Sequence, residues 1–196
     1  MGVVSIKSYF VQYRFILPDT TKHSSYTYQK LFRGIYGYTQ AVYKGSGKTY
    51  HYHRAGILSN YPYIRPGKNC VIIPQAAFQT LQEFFKTGKN PTHYWQEKGD
   101  WKCTYFLNEK DLPEKEVATA VENLLSRKFV EGVEGKALLL NEMKRVVQSG
   151  AEEGYKASIL KESQNIVDLE WFKLTYQQSQ TLIEFYELFK RLKNPA

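Results

Sequence analysis

The chain has 196 residues and is 42% hydrophobic, enough to bury a core in one large domain or two small ones. Two cysteines, Cys70 and Cys103, in no Cys-x-x-Cys pair exclude a disulfide framework, and the absence of any run near the roughly 18 apolar residues of a membrane span excludes a spanning helix. The net charge of +8 is unevenly placed, with 12 Lys and Arg against 2 acids in residues 1–95 and 15 against 17 in residues 96–196, which points to an anionic ligand for the first half. Since Met1 to Lys7 is too short and mixed for a signal peptide, a soluble cytoplasmic protein without a membrane partner is expected.

Residues Ser8 to Leu17 alternate imperfectly between apolar and polar, which predicts a strand stopping at Leu17-Pro18-Asp19. Ser24 or Ser25 is placed to cap a helix running to about Ile35, with Tyr28, Leu31 and Phe32 on its apolar side and Gly34 and Gly37 breaking it. Thr39–Tyr43 and Thr49–Arg54 are β-prone runs joined by Lys44-Gly45-Ser46-Gly47-Lys48, the clearest hairpin in the chain. After the turn Arg65-Pro66-Gly67-Lys68, Cys70–Ile73 reads as a buried strand. It leads into a helix that starts near Pro74, carries Phe78, Leu81, Phe84 and Phe85 at helical spacing and ends at Gly88. His93–Trp95 and Trp101–Leu107 fit strands around Lys98-Gly99-Asp100. Leu112-Pro113-Glu114 opens a helix striped by Val117, Val121, Leu124 and Leu125, and Gly132 and Gly135 close it. Lys136–Gln148 fits either helix or hairpin. Trp171–Leu174 resembles a strand, and Thr175 is placed to cap a last helix with Leu182, Phe185, Leu188, Phe189 and Leu192 inward.

An ordered series of matches suggests an internal duplication. Gln79–Phe84 returns as Gln180–Phe185, Arg54–Leu58 as Lys156–Leu160, Tyr9-Phe10 as Tyr105-Phe106 and Leu17–Asp19 as Leu112–Glu114. The expected fold is therefore α+β: two divergent tandem repeats, residues 1–97 and 98–196, each a ferredoxin-like βαββαβ sandwich, with an extra basic β-hairpin in the first. Such a sheet carries helices on one face and leaves the second face for something else.

Function concentrates between Tyr26 and Lys68. Nine of the 16 tyrosines fall there, no acid lies between Asp19 and Glu83, and cations recur throughout. Lysine and arginine neutralise phosphates and release counterions, while tyrosine faces stack on bases, so the primary expectation is nucleic-acid binding, with RNA or single-stranded DNA favoured because tyrosines outnumber arginines. The candidate binding residues are Arg33, Tyr36, Tyr38, Tyr43, Lys44, Lys48, Tyr50, Tyr52, Arg54, Arg65 and Lys68. The competing account is that tyrosines are good strand formers and lysines at a turn keep an edge soluble.

Catalysis enters as an alternative. Metal-free cleavage of RNA by its own 2′-hydroxyl needs a base, an acid and a cation; His51 or His53, Tyr50 or Tyr36, and Lys48 can fill those roles with no cofactor. Tandem ferredoxin-like domains with such residues look like the CRISPR repeat-processing endoribonucleases at the level of architecture, although the glycine-rich loop those enzymes carry near the C-terminus is missing. His51-Tyr52-His53 together with Tyr176 and Gln180 is similar to the His-hydrophobic-His and Tyr-x-x-x-Gln patterns of Rep proteins and one class of transposases; no acidic third ligand accompanies them. Phe129–Gly135 after a helix resembles the LAGLIDADG homing endonucleases. Its counterpart, Gly34–Tyr38, lacks an acid, so two-metal cleavage is not expected. Gly45–Thr49 mimics the end of a P-loop, but the first glycine of that motif would fall at Val42. A last alternative is an interaction subunit docking through Trp95, Trp101, Phe172 and the C-terminal helix.

Overall fold

The computed structural model describes residues 5–20, 22, 26–45, 48–92, 97–132 and 135–194. Tyr9–Tyr61 with Arg65–Glu109 form one compact unit, and the remaining described residues form another. The chain is mixed α and β, and no described helix is long and apolar enough to cross a membrane. The division falls at Glu109/Lys110 rather than 97/98, inside a strand that runs from one unit into the other.

The first unit is built on a four-stranded sheet in the order β4 (Ile64–Gly67), β5 (Cys70–Ile73), β1 (Ser5–Ile16), β6 (Lys102–Pro113). Alternation decides its faces: in β1, Val11, Tyr13 and Phe15 are buried while Gln12, Arg14 and Ile16 are exposed. β5 pairs antiparallel with β1, setting Val71 opposite Val11 and Cys70 opposite Gln12. The buried face carries α1 (Tyr26–Tyr36) and α2 (Phe78–Thr87), the latter entered through a 3-10 turn at Gln75–Ala77. Phe15 meets Phe32, Phe85 and Trp101 edge-on with ring centroids 5.7, 6.1 and 5.4 Å away, and Tyr13 lies 5.5 Å from Phe85. Such edge-on pairs add ~0.5–1.5 kcal/mol each beyond the area they bury.

Two glycines join α1 to the hairpin. Gly37 takes φ 73° and donates its N–H to the Arg33 carbonyl, so the helix ends there and not at Gly34, which is buried inside it. The chain then makes β2 (Tyr38–Lys44) and β3 (Lys48–Arg54) and returns, and the N–H groups of Ile57 and Leu58 donate to the carbonyls of Gly34 and Ile35 at 2.9 Å. The returning segment thus satisfies carbonyls that the helix end leaves open. At Gly56 the backbones approach so closely that a Cβ would sit 2.2 Å from the Gly37 nitrogen and 2.6 Å from the Ile35 oxygen.

The second unit is mainly helical. α3 (Glu114–Leu125) is followed by a two-stranded hairpin of β7 (Phe129–Gly132) and β8 (Gly135–Leu138), then α4 (Leu139–Ser149), α5 (Glu153–Val167), α6 (Glu170–Thr175) and α7 (Gln180–Lys193). Its core joins Val121 and Leu124 of α3, Met143 of α4, Ile159 of α5, Trp171 of α6 and Phe185 of α7. Among the described residues it holds no four-stranded sheet, so the expected second ferredoxin-like repeat is not found. Trp171–Leu174 is helix, not strand: Trp171, Phe172 and Thr175 are buried and Leu174 is half exposed, the i, i+1, i+4 spacing of a helix rather than alternation. Ser179, not Thr175, caps α7, its Oγ accepting from the Leu182 N–H at 3.3 Å. The ambiguous 136–148 stretch divides between β8 and α4.

The repeat series also breaks in the middle. Gln79–Phe84 and Gln180–Phe185 are both helical, and Tyr9-Phe10 and Tyr105-Phe106 both lie in strands. Arg54–Leu58, however, leaves a strand for a turn, whereas Lys156–Leu160 lies inside α5. Furthermore, α7 follows helix where α2 follows strand. The expected cap at Ser24 or Ser25 and the strand at His93–Trp95 lie outside the described residues.

Candidate nucleic-acid interface

Among the described residues the β2–β3 hairpin is a two-stranded ribbon that pairs with no third strand. Its register is symmetrical about residue 46, pairing Tyr38 with Arg54, Gln40 with Tyr52, Val42 with Tyr50 and Lys44 with Lys48. Directly paired positions share a side, so these eight positions form one side and Thr39, Ala41, Tyr43, Thr49, His51 and His53 the other. No described side chain of the ribbon is buried; Tyr43 is 82% exposed and Tyr52 42%. The side chains of Lys44, Lys48, Tyr50 and His51 lie outside the described part.

Cations and rings meet at the base of the ribbon. The Arg33 guanidinium lies over the Tyr38 ring at 4.8 Å and over Tyr26 at 5.6 Å, and Arg65 lies over Tyr36 at 4.2 Å. The Tyr36 phenol is hydrogen-bonded at 2.9 Å to that of Tyr13, whose ionisation burial suppresses. Tyr36 is therefore tied to the core through one hydroxyl while its ring supports an exposed arginine. Arg54 and Lys68 are exposed, the latter at the turn between β4 and β5. Arg33, Tyr36, Tyr38 and Arg65 thus form two stacked pairs, whereas Tyr43, Tyr52 and Arg54 are held on the ribbon alone.

Charge follows the same division. Tyr9–Tyr61 with Arg65–Glu109 contain 13 Lys and Arg against 5 Asp and Glu, and the rest of the sequence contains 14 of each. The entire net charge of +8 is therefore carried by the unit that bears the ribbon.

The proposed cleavage set has two described members. His53 shares a 2.8 Å hydrogen bond between its Nδ1 and the Thr39 Oγ1 across the ribbon, and Tyr36 is held by Tyr13. Tyr176 and Gln180 do not share a helix, because Ser179 between them is extended at φ −140°, ψ 130°, and Tyr176 stacks on Phe172 at 5.7 Å. The stretch resembling the homing endonucleases is strand at Phe129–Gly132. The docking reading loses its face too. Trp101, Phe172 and the Leu182, Phe185, Phe189 and Leu192 stripe of α7 are buried, and Trp95 lies outside the described residues.

The candidate binding residues read from the sequence leave out Tyr26, although the stretch begins with it, and Gln12, Arg14 and Phe106. Tyr26, 65% exposed, stands seven residues before Arg33 on one helix face, and that spacing was available. Gln12 and Arg14 occupy the polar alternate positions of β1, and Phe106 is 61% exposed on β6. No protein-family model matches the chain, and neither a curated protein nor a solved structure is significantly similar to it.

Proposed function

We propose that this protein binds nucleic acid, with single-stranded RNA or DNA favoured over duplex, through the β2–β3 ribbon and the Arg33 and Arg65 clusters at its base. The carrying observation is the concentration of the whole net charge of +8 in one unit, together with a ribbon that buries none of its described side chains. A hairpin used only as structure would hide its aromatic rings, while one that presents them beside cations suits bases and phosphates together. Both cysteines are free, in keeping with a reducing, cytoplasmic setting.

The test is binding of labelled single-stranded RNA, single-stranded DNA and duplex DNA as salt is raised. If Arg33, Lys44, Lys48, Arg54, Arg65 and Lys68 each neutralise one phosphate, the single-strand slope is about −4, and affinity falls ~300-fold between 50 and 200 mM salt. Arg54→Gln with Arg65→Gln brings the slope to about −3. Absence of binding to all three, or binding indifferent to salt, sinks the proposal.

A further inference from the structure

The face of the sheet turned away from α1 and α2 at Gln12 and Arg14 has the chemistry of a second contact surface. Tyr13 and Phe15 of β1 point to the helices, so Gln12 and Arg14 point away from them. On β6, Tyr105 packs on Phe78 and Phe85 of α2, so its neighbours Thr104 and Phe106 point away as well. These four residues, with Lys68 and Asn69 from the turn beside β1, are part of the lining of an open depression of about 620 Å³ that also reaches Tyr13, Phe15, Tyr105 and Tyr28 of α1. No acid is among its lining residues, and Phe106 is 61% exposed.

Asn69 holds the turn at the edge of this depression. It is the one non-glycine residue with positive φ, 60°, among those described, and its carbonyl accepts from the Tyr13 N–H at 2.9 Å. Its side-chain Oδ1 is buried and has no hydrogen-bond partner among the described residues. A shielded acceptor without a donor is costly to keep.

We infer that this face, rather than the ribbon alone, receives the bases of a single strand: Phe106 stacks on a base, Arg14 and Lys68 hold the flanking phosphates, and Gln12 accepts or donates at a base or sugar edge. This assignment rests on nucleic acid being the ligand. Exposed aromatics with cations on an open sheet face fit a single strand, because a paired duplex keeps its base faces stacked inside. The ribbon then serves as a second, electrostatic contact.

The test uses the full chain and a fluorescein-labelled single-stranded oligouridine of ~12 nucleotides, within the site sizes that such surfaces cover. Phe106→Ala is expected to weaken binding about 5- to 150-fold, the range for losing one stacked base. Phe106→Tyr is expected to stay near wild type, and Arg14→Gln to flatten the salt slope by about 0.7. Phe106 is exposed enough that its truncation leaves the core intact, and the Tyr variant guards against misfolding. If wild type binds and both Phe106→Ala and Arg14→Gln bind equally well with an unchanged slope, the sheet-face assignment is overturned while nucleic-acid binding stands. Failure of Phe106→Tyr to restore affinity overturns the stacking role. No binding by wild type, or binding of duplex only, overturns the assignment at its premise.

Discussion

Replacing Gly56 by alanine probes the joint that aims the ribbon. The added Cβ would lie 2.2 Å from the Gly37 nitrogen and 2.6 Å from the Ile35 oxygen, both backbone atoms that no rotamer change can move aside. Overpacking typically costs ~1–3 kcal/mol, and with backbone on both sides the upper end, about 3 kcal/mol, is expected. For a chain of this size that lowers the Tm by about 6–12 °C. Hydrogen exchange localises the damage: the Ile57 and Leu58 amides, which donate to Gly34 and Ile35, should exchange about a hundredfold faster. Affinity for single-stranded RNA should fall too, although Gly56 carries no charge, because the direction of the ribbon is fixed there. Gly67→Ala is the control. A Cβ at Gly67 meets nothing within 4 Å, so that variant should match wild type or gain up to ~1 kcal/mol. A Gly56→Ala protein melting within 2 °C of wild type, with both amides still protected, would refute the close crossing.

Glu142 of α4 gives a pH signature. Hydrogen bonds from Arg145 and Tyr155, at 2.8 and 2.6 Å, hold its carboxyl below the usual carboxylate range. A depressed folded value means the stabilisation is fully present above the ordinary range and is lost as pH falls through the folded value. Glu142→Gln should therefore cost about 1 kcal/mol at neutral pH, modest because Arg145 is open to solvent, with the gap to wild type closing in urea titrations as pH falls below the usual carboxylate range. A constant gap from neutral to acid pH would count against it. Burial pushes the Cys103 thiol up to about 12, so at pH 8 iodoacetamide should label it at least ~100-fold more slowly in the native protein than in urea; equal rates would contradict its burial.

The hairpin was legible because both of its signals are local: β-prone runs on each side of Gly45-Ser46-Gly47, and a register that follows from the loop. The aromatic core of the first unit was legible from helical spacing in Phe78, Leu81, Phe84 and Phe85. What failed depended on distant partners. Thr175 and Ser179 are both able to cap, and the choice fell to Ser179, which also contacts Glu122 of α3. Tyr105-Phe106-Leu107 is apolar at three successive positions, so no alternation reveals which ring faces the helices and which is exposed. The unit boundary falls within β6, at Glu109/Lys110, where neither glycine nor proline interrupts the strand. The candidate site was legible as a region, since charge and tyrosine content are sums over sequence. Its pairing of Arg33 with Tyr38 and Arg65 with Tyr36 was not.

Ribbon register turns composition into an argument about function. Lys44 stands directly opposite Lys48 at the ribbon end, and Tyr38 opposite Arg54 at its base. Like charges at paired positions destabilise a hairpin, and an isolated two-stranded ribbon is marginal even without them. An acid at position 44 or 48 would stand opposite a cation across the ribbon, yet residues 20–82 contain none. The second unit, with 14 acids of its own, uses them in this way: Lys144 meets Glu184 and Lys128 meets Glu162 at 2.9 and 2.8 Å. The chain thus balances charge in one unit and withholds compensation in the other. Leaving the basic unit with 5 acids against 13 cations makes physical sense where an external polyanion supplies the missing counter-charge on binding.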